Sequence, residues 1–401
     1  MRLLFVSQRV PEPPNKGDKI RSHHMMRRIA SRHEVHLAFL LDGPEEAEHV
    51  ESVRGWAASV HWRTRGTAES AARGALAALR GRPISAGWFW NSHLADEVRA
   101  LWRTPFDAAI AYCTSMTPYL EEFAGPRVLD LVDVDSEKWK QYAARSSFPR
   151  RDVYTLEHRL LRSWEKALVR RFDRSLVVSR AERDLLGTFA DVSRVRVVGN
   201  GVDADGFHRP GPRGTEPILV FVGALDYFAN VEGIVRFTRE ILPLVRERVA
   251  GCRLRVVGRK PVAEVRALAA VEGVEVIADP EDVRPPLWGA AVAVAPLWIA
   301  QGTQNKVLEA MAARVPVVAT TAAVQGIDGQ ADRHFRIADA PEEWARAVSD
   351  LVTRPEEADA LAERARQLVL ERYSWDRQAE RYEAEILAAT EAGRGAPGRR
   401  P

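Results

Sequence analysis

The sequence predicts an α/β protein with two parallel sheets, each covered by helices on both faces. Short apolar runs such as RLLFVS (2–7) and EVHLAFLL (34–41) are typical of strands buried on both faces. Helical patterns separate these runs, as expected for strands joined by helical crossovers. The alternation restarts after a glycine- and proline-rich stretch at 194–217, so we expect two units of similar size joined by a linker.

Each unit has its own series of predicted strands. In the first unit, a helix over 20–32 follows the first strand, and further apolar runs follow at 107–113, 127–133 and 175–179. The strands of the second unit are predicted at 217–225, 252–258, 273–279, 291–297 and 315–320. From Pro341 onward the pattern is helical. Ligands of such sheets bind beyond the carboxyl ends of the strands, so the loops there are the ones to inspect.

Composition narrows the functional class. Of 401 residues, 46% are hydrophobic and 28% are charged, which is typical of a globular protein. The two cysteines, Cys113 and Cys252, are far apart and lack partners at metal-ligand spacing, so neither a disulfide framework nor a zinc site is expected. Because no apolar run is long enough to span a bilayer, we expect a cytoplasmic protein whose membrane contact, if any, is peripheral.

The basic residues are unevenly distributed. Their excess lies in the first half of the chain, whereas residues 191–401 are net acidic. A basic first half favours an anionic partner, such as the inner face of the membrane or a phosphorylated lipid. The other interpretation is an ordinary solvated surface. Nucleic acid is not predicted as a partner, since the basic residues are dispersed and no aromatic RNA-binding motif occurs.

Several motifs together resemble a known enzyme family. NGVD (200–203), FVGAL (221–225) and LEAMAARVPVVAT (308–320) follow one another as in the C-terminal half of GT-B glycosyltransferases of family 4. The segments PEPPNKGDKIRSHHMMRRIA (11–30) and LVDVDSEKWKQYA (131–143) resemble the subgroup of sugar transferases associated with exosortase and PEP-CTERM exopolysaccharide systems.

The resemblance implies a fold and a reaction. GT-B enzymes have two Rossmann-like domains that face each other across a cleft, and a C-terminal helix crosses back to the first domain. We therefore expect an acceptor domain at 1–190, a donor domain at 191–375, a returning helix at 376–392 and a disordered tail at 393–401. The implied reaction transfers a sugar with retention from a nucleotide-diphosphate donor to a saccharide acceptor, here a lipid-linked one, without a metal or cofactor.

The donor loop is predicted between the strand at 291–297 and the following helix. Gly302, Thr303, Asn305 and Lys306 combine a close backbone approach, free N–H groups and a cation, which suit a diphosphate. The other interpretation is a capped helix with an exposed lysine. By resemblance, Glu309 binds the ribose hydroxyls, while Gln301 stands where relatives have a glutamate that contacts the donor sugar.

Further donor-site candidates are predicted at strand ends. Gly223 faces the expected cleft, and the Arg and Lys that usually follow it in the family are replaced by Asp226 and Asn230, the latter a candidate helix cap. Arg259 is a candidate diphosphate contact or a surface arginine. Asp279 is a candidate for framing the base pocket.

Acceptor-side residues are predicted in the loop after the first strand. Lys16, Gly17 and Asp18 form a loop that resembles the family's phosphate- or acceptor-approaching loop, and Arg21 is a candidate for an acceptor phosphate. A solvated basic loop is the other interpretation.

Catalytic carboxylates are predicted after the strand at 127–133. The histidine that many relatives carry earlier is missing, so Asp133 and Asp135 are the candidates to orient the acceptor hydroxyl or accept its proton. Helix capping is the other interpretation for Asp135. The aromatic cluster GWFWNSH (87–93) and the basic helix at 150–174 either contact a lipid or membrane or pack within the protein.

Two other functions share the predicted fold. One is a nucleotide-sugar 2-epimerase, against which the order of the motifs argues. The other is a non-catalytic nucleotide-sugar-binding protein, which Gln301 and the missing histidine would fit.

Overall fold

A computed structural model describes residues 1–14, 17–144, 146–214, 216–300 and 303–394, with residues 17, 18, 393 and 394 described by their backbone alone. The chain divides into two compact units. Unit 1 comprises residues 1–199 and the segment that begins at Gln378, and unit 2 comprises residues 200–377. Each unit is an α/β structure around its own parallel sheet.

The sheet of unit 1 has seven parallel strands in the order β3-β2-β1-β4-β5-β6-β7. Their bounds are β1 Arg2–Ser7, β2 Glu34–Leu41, β3 Ser59–Thr64, β4 Ala108–Tyr112, β5 Arg127–Val132, β6 Arg174–Val177 and β7 Val195–Val197. The central strands are buried along nearly their whole length, as their continuous apolar runs predict.

The helices of unit 1 cover this sheet. They are α1 Gly17–Ala30, α2 Val50–Arg54, α3 Thr67–Leu79, α4 Ile84–Trp88, α5 Ser92–Leu101, α6 Asp135–Ala144, α7 Arg150–Arg171, α8 Arg180–Gly187 and, after unit 2, α17 Trp375–Arg394. Local sequence sets several starts: Asn91 and Ser179 accept from the backbone N–H three residues on, at the N-termini of α5 and α8.

The sheet of unit 2 has six strands in the order β10-β9-β8-β11-β12-β13, all parallel. Their bounds are β8 Ile218–Val222, β9 Arg253–Gly258, β10 Val274–Ala278, β11 Val292–Ala295, β12 Val317–Ala319 and β13 Arg336–Ile337. The helices are α9 Phe228–Arg236, α10 Leu242–Arg248, α11 Ala263–Arg266, α12 Arg284–Trp288, α13 Asn305–Ala312, α14 Thr321–Val324, α15 Pro341–Thr353 and α16 Pro355–Arg372.

Three strands differ from the sequence prediction. β3 was not predicted because its sequence, SVHWRT, is a half-buried edge strand without an apolar run. β7 lies inside the stretch assigned to the linker, so that stretch begins later than predicted. β13 has only two residues. The division between the units falls after Gly199, beyond the predicted boundary at residue 190.

Most of α17 belongs to unit 1. Glu383 accepts from Arg32 at 2.6 Å and lies 2.5 Å from Nε2 of His33, and Glu385 pairs with Arg174 at 3.3 Å. Tyr382 is completely buried beside the guanidinium of Arg21, whose carbon lies 5.8 Å from the ring centre. Unit 1 is therefore built from two separate parts of the chain.

Three further observations bear on the predictions from composition. Both cysteines are free and buried. No helix among the described residues is long and apolar enough to cross a membrane. Nor do the residues placed by the structure contain a group of three or more His, Cys, Asp or Glu side chains arranged to hold a metal ion.

Candidate functional site

The strand order gives each sheet a point where successive connections turn in opposite directions. In unit 2 this point lies between β8 and β11, because the chain leaves β8 toward β9 and returns to the other side of β8 at β11. Loops that follow two such strands diverge and leave a crevice at the carboxyl edge of the sheet. Gly223 follows β8, and the segment leading to α13 follows β11.

Lys306 and Asn230 meet at this edge. The ammonium of Lys306, on the first turn of α13, donates to Oδ1 of Asn230 on α9. Nδ2 of Asn230 in turn donates to the carbonyl of Ala224 at 2.8 Å. Gly223 leaves room for both: a Cβ on this residue would lie 2.9 Å from Nδ2 of Asn230 and 3.0 Å from Nζ of Lys306. A glycine is thus required for the pair to sit against the strand end.

The surroundings hold the lysine in a dry setting. Its ammonium lies 4.6 Å from the ring centre of Phe221, a cation–π contact with a buried residue of β8. The ends of β8 and β9 are also packed tightly against each other, because a Cβ on Gly258 would lie 1.7 Å from the carbonyl oxygen of Gly223. The Lys306–Asn230 pair therefore lies against closely packed backbone.

Burial sets the charge states of Lys306 and Glu309. Burial lowers the pKa of the Lys306 ammonium to about 7, although the Glu309 carboxylate favours the charged form. Burial likewise raises the pKa of the Glu309 carboxyl to about 7, opposed by Lys306. The two residues lie three positions apart on α13 and share a face. Both side chains are half-buried, so each remains accessible to a ligand.

Glu309 has no fixed partner within the part of the chain that the structure describes. No hydrogen bond contributes to its pKa, and Lys306 is the only charge that does so appreciably. A carboxylate without donors tends to be satisfied by a ligand or to take up a proton. Glu309 is thus available to accept hydrogen bonds from hydroxyl groups.

The start of α13 faces the same region. Its first residue, Asn305, is exposed, and the side chain of Gln304 does not cap the helix. The Thr303 hydroxyl donates to the carbonyl of Gly326 at 3.0 Å, so it holds the loop in place. Gln301 and Gly302 lie outside the described residues. The helix start therefore offers backbone N–H groups beside the Lys306 ammonium.

The remaining donor-side candidates lie at the end of β9 and β10. Arg259 is exposed, and its carbonyl accepts from the N–H of Leu225 at 2.8 Å. The Asp279 carboxylate accepts from the N–H of Lys260 at 2.8 Å, so it links the loops that follow β9 and β10, at two residues that both have positive φ. Asn230 lies inside α9, whose N-cap is Tyr227, so the capping interpretation of Asn230 was wrong.

Unit 1 has its own reversal point, between β1 and β4. Here Nε2 of Gln8 donates to Oγ of Ser115 at 2.5 Å, linking the loops that follow these two strands. Cys113, directly after β4, has φ 72° and ψ 152°, a conformation that is strained for a residue with a side chain. Such strain concentrates where a fold positions a ligand-binding loop.

Asp133 follows a second strained residue. Val132 ends β5 with φ 68°, which is unfavourable for a β-branched side chain, and the pairing of β5 with β6 shifts register there. The N–H of Asp133 then bonds back to the carbonyl of Leu131 at 2.9 Å. Partial burial raises the pKa of the Asp133 carboxyl, but the residue as a whole is exposed, so water screens much of the effect.

Asp135 is the first residue of α6 and is half-buried. Burial raises the pKa of its carboxyl to about 6, helped by Asp133, Glu157 and Glu182 and opposed by Lys138. Beneath it, the buried Glu165 accepts from the N–H and hydroxyl of Ser136, at 3.1 and 2.6 Å. The structure thus brings Asp133 and Asp135 together at the end of β5 and the start of α6.

Arg21 does not have the predicted phosphate-binding position. Its side chain is 1% exposed and pairs with the fully buried Asp130, with Nε 2.9 Å from Oδ2. Another of its nitrogens donates to the carbonyl of Gly199 at 3.0 Å. Because these partners occupy the guanidinium inside unit 1, we correct its role to a structural one. Gly17 and Asp18 begin α1, and Lys16 lies outside the described residues.

One protein-family model matches part of the chain. Residues 216–354 match the family model described as glycosyl transferases group 1. This group 1 match falls within unit 2 and spans the strand ends and helices that bring Lys306, Glu309 and Asn230 together. No curated protein sequence matches the chain significantly.

Solved structures share the fold over nearly the whole chain. The chain is similar to HepE from Anabaena in complex with UDP, with TM-score 0.65 and 12% identity over 96% of this chain and 99% of that one. Sucrose-phosphate synthase from Thermosynechococcus elongatus has TM-score 0.65 and 14% identity, covering 96% and 98%. A TarM variant from S. aureus in complex with UDP and other ligands has TM-score 0.64 and 10% identity, covering 96% and 100%. The predicted α/β GT-B fold class, with its two Rossmann-like units, is confirmed.

The sequence predicts Asn230 only as a polar candidate or helix cap and gives no role to Phe221. Nothing in a single sequence pairs either residue with a lysine about 80 positions later. A weak signal existed: Asn230 lies on the first turn of the helix that follows β8 and Gly223, at the edge of the sheet where ligands bind in such folds.

Proposed function

We propose that the protein is a retaining, metal-independent glycosyltransferase that uses a nucleotide-diphosphate sugar as donor. The observation that carries the proposal is the Lys306–Asn230 pair against Gly223, with Glu309 one turn further along α13. It is supported by the group 1 glycosyl transferase match over the same unit. The similar structures of HepE and a TarM variant contain UDP, so UDP is the nucleotide to test first.

The donor phosphates would lie at the start of α13. Negative charge grows on the departing diphosphate during transfer, and an enzyme lowers the barrier by placing fixed positive charge and N–H groups there. Lys306 supplies the charge and α13 the N–H groups. Because Asn230 holds the lysine from behind, the ammonium is positioned before the donor arrives.

Glu309 would bind the ribose of the nucleotide. Its half-buried carboxylate can accept from two neighbouring hydroxyls, which would replace the hydrogen bonds to water that it lost on folding. In this arrangement Glu309 fixes the nucleoside, Lys306 the diphosphate, and the segment containing Gln301 and Gly302 is left for the donor sugar. Thr303 contributes indirectly by holding the loop.

Unit 1 would bind the acceptor. Asp133 follows a strained residue at the end of β5, so its carboxylate is held in an exposed position where it can accept a proton from a hydroxyl. We take the acceptor to be a lipid-linked saccharide of exopolysaccharide assembly, as the resemblance of 11–30 and 131–143 suggests. The protein would then work at the inner face of the membrane in peripheral contact with anionic lipid.

The test compares UDP and uridine as ligands of the wild-type protein and of Lys306→Met. Titration calorimetry should show that the substitution weakens UDP binding by about tenfold or more, the usual effect of removing a charged hydrogen-bonding group. Uridine binding should change little, since it lacks the diphosphate. Arg248→Met is the control, because Arg248 is an exposed cation of the same unit at the end of α10, before β9 begins. Equal losses for UDP and uridine would contradict the diphosphate assignment.

A further inference from the structure

Unit 1 contains a second concave site, formed by its helices. A cavity of about 390 Å³ lies where α4 meets α6 and α7. Four aromatic residues form much of its wall, Trp88, Phe89, Trp139 and Tyr154. All four are half-buried, and Val153 at its edge is exposed, so the cavity opens to the surface.

The cavity wall offers almost no polar surface. Its one carboxylate belongs to Glu157, which is 2% exposed and accepts from the N–H groups of Ile84 and Ser85 at 2.5 and 3.0 Å. Those bonds occupy both carboxylate oxygens at the start of α4. A sugar or nucleotide would find only the Ser85 hydroxyl here to replace its hydrogen bonds to water, whereas a hydrocarbon chain would gain by leaving water.

The hairpin that lines the cavity also carries exposed apolar residues. Phe148 is 76% exposed, Val153 49%, Tyr142 45% and Leu156 44%, and all four lie on α6, α7 or the segment between them. Trp139 and Tyr142 are in edge-to-face contact, with ring centres 5.7 Å apart, and Trp139 lies 5.2 Å from Tyr154. The apolar surface of the cavity thus continues onto the outside of the hairpin formed by α6 and α7.

The same hairpin is strongly basic. The whole hairpin, residues 135–171, contains ten Lys and Arg and five acidic residues. Two of those five, Glu157 and Glu165, are buried, so the surface is more positive than the count suggests. An apolar opening among cations complements an amphiphile with an anionic head and a hydrocarbon chain.

We propose that the α6–α7 hairpin docks on an anionic bilayer and that the aromatic cavity takes up one hydrocarbon chain of an anionic lipid. The exposed side chains enter the interface, the basic residues contact the head groups, and the chain occupies the space between Trp88 and Tyr154. This deepens the membrane contact in the proposed function. It involves unit 1 alone, so its failure would leave the donor site and its UDP test unaffected.

Vesicle sedimentation with the full-length protein tests the docking. We expect binding to vesicles of phosphatidylglycerol and phosphatidylcholine, falling with salt, and little binding to phosphatidylcholine alone. Val153→Asp should weaken binding to the mixed vesicles by about tenfold or more, since it replaces an inserted apolar group with a like charge of the lipid. Val271→Asp makes the same change at an exposed position of unit 2 and should have no effect.

A soluble probe tests the cavity itself. Dodecyl phosphate below its micelle concentration should bind, and inorganic phosphate should not. Val153→Trp, which narrows the opening without adding charge, should abolish dodecyl phosphate binding. Retained thermal unfolding and UDP binding in each variant show that the fold is intact. The proposal is overturned by equal binding to neutral and anionic vesicles, by no binding to either, or by dodecyl phosphate binding that Val153→Trp leaves unchanged.

Discussion

Lys306 donates a hydrogen bond to Asn230 across the crevice between β8 and β11, and the two side chains lie against the α-carbon of Gly223. The contact joins α13 to α9, two helices far apart in the sequence. It also explains why burial lowers the pKa of the lysine, since its one hydrogen-bonding partner among the described residues is a neutral amide. A bound diphosphate would supply the negative charge that the Asn230 amide lacks.

Gly223→Ala should disturb this pair without unfolding the unit. The new Cβ would meet the ends of Asn230 and Lys306 at 2.9 and 3.0 Å, and both side chains can move away. We expect UDP affinity to fall by about tenfold, because the ammonium loses its preset position. Gly211→Ala is the control, since a Cβ there meets nothing within 4 Å. Calorimetry showing equal UDP affinity in both variants would refute the positioning role of Gly223.

Donor binding should move protons in opposite directions at pH 8 and pH 6. With its pKa about 7, Lys306 is mostly neutral at pH 8, and a bound diphosphate favours the charged form, so binding takes up a proton. At pH 6 Lys306 is already charged, whereas Glu309, also with a pKa about 7, is mostly protonated and must release a proton to accept from hydroxyls.

Calorimetric titrations of UDP in buffers of different ionisation enthalpy measure this exchange. Lys306→Met should remove the uptake at pH 8. Glu309→Gln should reduce the release at pH 6, and the remainder comes from UDP itself, because a terminal phosphate has a second pKa of about 6 and loses its proton on binding. Glu371→Gln changes an exposed carboxylate of the same unit and should leave both unchanged. An absence of proton exchange at both pH values in the wild-type protein would show that neither group titrates on binding.

Asp133→Asn should separate transfer from donor binding. If Asp133 accepts the acceptor proton, its loss should lower turnover by about a hundredfold or more. UDP affinity should be unchanged, because Asp133 belongs to unit 1. Release of free nucleotide from a panel of UDP- and GDP-sugars measures turnover, with Asp184→Asn as a control at an exposed position. Full turnover in Asp133→Asn would end the proposed role.

Arg21→Met should destabilise unit 1 rather than weaken the binding of a ligand. Removing one partner of a buried ion pair leaves Asp130 uncompensated, at a cost of about 3–5 kcal/mol. Chemical denaturation followed by circular dichroism measures the loss, and Arg180→Met, at an exposed arginine, should have little effect. Adding Asp130→Leu to Arg21→Met should restore part of the stability. Unaltered stability of Arg21→Met would reopen the phosphate-binding interpretation.

The central strands were predictable from sequence, whereas three of the four edge strands, β3, β7 and β13, were not. β1 and β2 have the predicted bounds because both faces are covered, so the sequence is apolar at nearly every position. β3 is half-buried along its length and carries His61, Arg63 and other polar residues. A strand with one neighbour needs fewer apolar residues, so its sequence resembles that of a loop.

The candidate site was predictable where one segment carries it. Lys306 and Glu309 lie on the same helix, and their spacing alone places them on one face, independently of the rest of the fold. Asn230 and Phe221 reach the same place only through sheet topology, which a single sequence does not determine. Arg21 was misassigned for the same reason, because its partner Asp130 lies on a strand more than 100 residues away.

The interrupted course of unit 1 along the chain imposes an order on its assembly. The Arg21–Asp130 pair packs beside Tyr382, which leaves the ribosome only after every residue of unit 2. During synthesis, unit 2 can therefore finish folding while unit 1 still lacks the helix that covers its buried ions. Translation thus completes unit 2 first, and unit 1, although its synthesis starts earlier, is completed last.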